Sequence, residues 1–137
     1  MEQYIKICKM KKVNLGKYVD KIVTDDLILT YERLYKHILL YHEKEYYQLQ
    51  KYIINIILEP DIVIEDKENK DTLIFLKHIN EINKKARIVV KLATDYNDKI
   101  YNKNSIITIM RQRDKSWEQT VKNKGKVIFQ KNVDKTE

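Results

Sequence analysis

Pro60, the only proline among 137 residues, divides the chain into two regimes of hydrophobic spacing. Before it, Tyr46, Leu49, Tyr52, Ile53, Ile56 and Ile57 recur at the spacing that gives a helix one broad apolar face. Proline lacks an N–H and disfavours helical geometry in the residue before it, so that helix has to stop by about Leu58. After Pro60 come β-branched runs, DIVIED, TLIFLKHI, ARIVVKLAT, NSIITIMRQ and KVIFQK, separated by connections rich in Asn, Asp and Lys. Upstream, Thr30 reads as the N-cap of a first helix running to about His42, with Glu32 in its first turn. A second helix runs from about Lys44 to Leu58. QYIKICKM carries a weak strand signal, and KIVTDDLIL looks extended and irregular. Helices followed by short strands predict an α+β fold, in which N-terminal helices pack on one face of a small antiparallel sheet of four to five strands. The other face of that sheet is expected to be open for a ligand.

Nothing in the chain marks a domain boundary, so residues 1–137 read as one domain with its core over about 20–132. The lone Cys8 has no disulfide partner, no run of apolar residues reaches membrane-spanning length, and the polar start is no signal peptide. A soluble cytoplasmic protein, with no membrane partner, is the expectation. The net charge is +7, and after residue 98 ten Lys and Arg stand against four Asp and Glu. A basic C-terminal third suits a polyanion, because Lys and Arg displace counterions from phosphates. Over-use of Ile, Lys, Asn and Tyr inflates Lys by itself, which is the competing explanation.

Arg33 and His37 are four apart and flank the stripe of Leu34, Ile38 and Tyr41. A cation beside an imidazole tends to keep it neutral, as a general base requires. The plainer alternative is a boundary cation and a boundary imidazole, and for His42 a half-buried helix-end residue. His37 and His42, five apart, diverge by about 140° on an α-helix, and there is no H-E-x-x-H or Cys pair, so no metal is expected. No cofactor is expected either. His78 reads as structural, and no base is placed for Cys8. On the strands, Arg87, Val89 and Lys91 share one face. Thr108 interrupts the Ile106/Met110 face, while Arg111 and Arg113 continue that of Ser105, Ile107 and Ile109. With Trp117 close by, a face carrying cations, a hydroxyl and a ring suits RNA. Edge-strand protection by Lys and Arg is the alternative.

The order of TYERLYKHILLYH, a Tyr-rich helix ending EPDIVIED, then RIVVKLAT, NSIITIM and a Trp before the last strand resembles the phage-borne nuclease domains of the barnase–EndoU–colicin–RelE-like (BECR) superfamily. The resemblance implies metal-independent cleavage of RNA, tRNA included, in a toxin-like or mobile-element setting, with an inhibitor or immunity protein as a further partner. It implies catalytic roles for Arg33, His37, His42, Lys91 and Thr108, with Ser105 contacting substrate; the strand-face reading adds Arg111 and Trp117 as substrate contacts. The second functional reading is a non-catalytic module that binds RNA or an acidic protein on the same scaffold. Convergence of Arg33, His37 and Lys91 in one cleft separates the two: a Lys91 that points into the helix-packed core or lies far from His37 decides for the module.

Overall fold

Among the described residues seven strands form one sheet: β1 (Tyr4–Lys9), β2 (Asp26–Thr30), β3 (Ile62–Asp66), β4 (Thr72–Ile79), β5 (Lys84–Lys91), β6 (Asn104–Arg111) and β7 (Gly125–Gln130). Their order across the sheet is β1-β2-β6-β5-β4-β3-β7. The computed structural model describes residues 3–94, 102–112, 119, 123 and 125–131. The sheet corrects the expected one in two ways. It has seven strands instead of four to five, because both segments before the helices join it. It is also mixed: β2 runs parallel to β6, and the other neighbours are antiparallel.

The expected pair of helices is one helical path over residues 31–58. It comprises α1 (Tyr31–Arg33), a π turn (Leu34–Ile38), α2 (Leu39–Leu49), a 3-10 turn (Gln50–Tyr52) and α3 (Ile53–Leu58). Thr30 caps it as its residue type predicts, its Oγ1 accepting from Arg33 N at 3.1 Å. The boundary expected near His42 is present as a kink between two helical halves: the φ of −138° and ψ of 37° at His42 are not helical. At the far end, buried Asn14 donates from Nδ2 to the Ile57 and Leu58 carbonyls, each at 3.2 Å, satisfying two acceptors that a helix terminus leaves over. No helix among the described residues is long and apolar enough to cross a membrane.

Leu34, Ile38, Leu49, Ile53, Ile56 and Ile57 pack this path onto the sheet face that carries Leu73, Phe75, Ile88, Val90, Ile106 and Ile109. Burying each such side chain stabilises the fold by roughly 1.5–3 kcal/mol. The opposite face is not the open platform expected of it. Ile64, Ile74 and Leu76 form a second buried cluster there, at most 3% exposed.

Asn104 joins these layers. It is 0% exposed, and its Nδ2 donates to the Thr24 and Asp26 carbonyls at 2.8 and 2.9 Å. Its Oδ1 accepts from Ala93 N at 2.8 Å. Removing the amide strands one buried and two part-buried backbone groups at once. Asn104→Ala should therefore lower unfolding stability by about 3 kcal/mol, read as a lower urea midpoint at unchanged slope.

Candidate groove between the helix and strand β6

Strand β2 pairs with β6 only at Leu27–Asn104 and Ile28–Ser105. Among the described residues no strand lies beside the outer edge of β6 beyond Ser105, and the helical path that begins at the end of β2 runs along it. An uncovered edge leaves N–H groups in need of acceptors, and Glu45 supplies one: its Oε2 accepts from Arg111 N in a short hydrogen bond. Two clefts lie along this seam. The first, about 310 Å³, is lined by Thr30, Glu32, Arg33, Lys36, His37 and residues 105–107. The second, about 610 Å³, is lined by Tyr41, His42, Glu45, Arg87, Met110, Arg111 and Gln112. Tyr41 links them, since its ring meets that of His37 edge-on at 5.5 Å.

Arg33 and His37 line the first cleft and Tyr41 and Glu45 the second, so all four border the strand edge. On a regular α-helix His42 would point away from His37. The π turn alters the phase: Leu39 N bonds back to the Leu34 carbonyl, the i→i+5 pattern that brings residues five apart closer to alignment. With the kink at His42, both imidazoles border the same groove.

A bulge in β6 makes a second correction. Val89 pairs with Thr108 but Val90 with Ile106, leaving Ile107 as the extra residue. Ile109 therefore joins the helix-side core, and Ser105, Thr108 and Met110 share the opposite face with Lys91, Val89 and Arg87. The alternation expected through Ser105, Ile107 and Ile109 is broken.

The groove thus gathers Arg33, His37 and Ser105 in one cleft and His42 and Arg111 in the next. Lys91 does not join them. Its Nζ donates to the Lys70 carbonyl at 2.8 Å, on the β4 side of its strand and away from β6. Thr108 lines neither cleft, and its Oγ1 is buried without a hydrogen bond. Trp117 lies outside the described residues. Sequence reasoning missed Glu45, Tyr41 and Arg87 as groove residues. Arg87 carried a usable signal, because it alternates with Lys91 on one strand face. Elsewhere, Cys8 is half-buried and burial pushes its thiol up, which disfavours a nucleophile. His78 Nε2 lies 3.0 Å from Asn83 Oδ1 in an exposed pair.

His42 Nδ1 lies 3.2 Å from Glu45 Oε1, the two side chains being 21% and 30% exposed. An ionised Glu45 requires the proton on Nδ1, leaving Nε2 as the available ring nitrogen. His37 makes no hydrogen bond among the described residues. Its pKa is lowered from 6.5 by burial, then by the charge of Arg33, then by that of His42. The four arginines are rare among 27 basic residues. The three that are described, Arg33, Arg87 and Arg111, all line the groove, and none forms an ion pair among the described residues.

No family model, curated protein or solved structure matches the chain.

The lowered His37 value has a signed consequence. Below pH 6.5 the unfolded chain binds the His37 proton more readily than the folded one, so stability falls as pH drops from 6.5 through the folded value. In an NMR titration the His37 ring should titrate below 6.5 and shift back upward in Arg33→Ala. His37→Ala should flatten the stability slope in that window.

Proposed function

We propose that the chain is a metal-independent endoribonuclease that cleaves RNA in the groove between the helix and β6. The observation that carries this reading is the pairing of two different imidazoles along one cationic seam: His37, kept neutral, and His42, backed by the Glu45 carboxylate. His37 takes the proton of a 2′-hydroxyl as its oxygen attacks the adjacent phosphorus. His42, whose positive form Glu45 balances, gives a proton to the departing 5′-oxygen. The P–O5′ bond breaks, a 2′,3′-cyclic phosphate and a 5′-hydroxyl result, and the two histidines have exchanged one proton. Arg33 stabilises the charge that gathers on the phosphoryl oxygens, Arg111 holds the flanking chain, and Ser105 orients it. Proton transfer and charge stabilisation are both supplied by side chains of the groove, the division of labour that the BECR resemblance implies.

A module that holds RNA without cutting it is the second reading. It is favoured by Lys91, whose ammonium is committed to the Lys70 carbonyl instead of converging on His37.

Purified protein should release discrete fragments from total tRNA or structured RNA in EDTA. His37→Ala and His42→Ala, both folded, should each lose about 10²–10⁴-fold in rate. Glu45→Gln should lose less, and Lys91→Ala should cut like the wild type. Binding of RNA by the wild type without any cleavage at matched concentration would transfer the groove to the module reading.

A further inference from the structure

Arg87 reaches the larger cleft from β5, directly across from Met110 of β6. Its Nε is buried and donates to nothing. Burial works against its charge, and the only opposing contribution is the attraction of Asp66, which forms no ion pair with it. Withdrawing a guanidinium from water is costly unless an anion or acceptor replaces the lost hydration. Buried donors without partners in folded proteins are accordingly places where a ligand, ion or water completes the set.

The surroundings narrow what that partner is. Arg111 enters the same cleft without an ion pair. Glu45, the one carboxylate lining it among the described residues, has Oε1 committed to His42 and Oε2 to Arg111 N. Two guanidiniums therefore face the cleft with little to neutralise them, which favours an anion of more than one charge over a carboxylate. The guanidinium fork presents parallel N–H groups matched to the oxygens of a tetrahedral oxyanion.

We propose that the Arg87 cleft is a phosphate seat, in which Arg87 grips the oxyanion through its terminal N–H groups while Arg111 supplies the second cation. The seat deepens the ribonuclease reading and rests on the same groove, for it gives the phosphate stabilisation expected of Lys91 to Arg87. The two fail separately, because phosphate can bind whether or not RNA is cut.

The test is a titration of the full chain with inorganic phosphate, followed by its unfolding midpoint and by the Arg87 Nε–Hε NMR resonance. Phosphate should raise the midpoint and move that resonance in the wild type. Arg87→Lys, which keeps the charge but loses Nε and the fork, should bind phosphate roughly tenfold more weakly or worse. Lys91→Ala should bind as the wild type does. An Nε–Hε resonance that phosphate leaves unmoved, or equal binding by Arg87→Lys, overturns the seat, and the first readout requires no variant to fold. Competition by a dinucleotide whose only phosphate is the internal diester identifies the RNA chain as the source of the ligand. Competition by its 5′-phosphorylated form alone identifies a terminal phosphate; either result supports the seat. Intact phosphate binding with no RNA cleavage in EDTA defeats the ribonuclease reading and leaves the seat standing.

Discussion

The buried amide of Asn104 holds the first strand pair to the rest of the sheet. Its two donors and its acceptor are satisfied by three backbone groups from two separate stretches, Thr24 and Asp26 on one side and Ala93 on the other. A parallel neighbour reached through only two residue pairs has little ladder of its own to hold it, so the side chain supplies what the ladder does not. Thr30 ends β2 and caps the helix in the same residue, with no linker to absorb movement. Fixing β2 beside the start of β6 therefore fixes where the helix begins and along which edge it lies. The groove is the seam that results, closed at its far end by Glu45 on the Arg111 N–H.

Three departures from regular backbone then decide what faces that seam. The π turn over Leu34–Ile38 changes the phase of the helix, the kink at His42 turns the second imidazole, and the Ile107 bulge re-aims the second half of β6. Such insertions and bulges concentrate where side chains need redirecting. Each breaks a periodicity that ideal geometry would carry through. That is why His37 and His42 border one groove although a wheel of 3.6 residues per turn separates them.

The use of arginine sharpens the electrostatic picture. Lysine is abundant throughout the chain, and most of it is solvated or paired: Lys9 and Lys103 with Asp26, Lys11 with Glu59, Lys17 with Glu65. The described arginines instead stand unpaired along one groove. A planar, permanently charged fork is the cation suited to oxyanions, whereas lysine serves well as a solvated surface charge. The compositional bias that clouds any reading of the lysines leaves the arginines untouched.

Local rules written into the sequence determined the kind of element at most positions. Proline chemistry ended the helix near Pro60, Thr30 capped its start, and β-branched runs became β3 to β6 and the start of β7. The same rules placed Arg33 and His37 on one flank, and Arg87 and Lys91 on one strand face, because those relations follow from fixed repeats along a single element. Only the tertiary structure decided that the two segments before the helices join the sheet, the parallel pairing of β2 with β6, the burial of Ile64, Ile74 and Leu76, and which cations share a cleft. Lys91 and Arg87 are equivalent by alternation, yet one is drawn to the Lys70 carbonyl and the other enters the groove with His42. Alternation states which face a side chain takes, but partners contributed from distant positions in the chain set where its charge comes to rest.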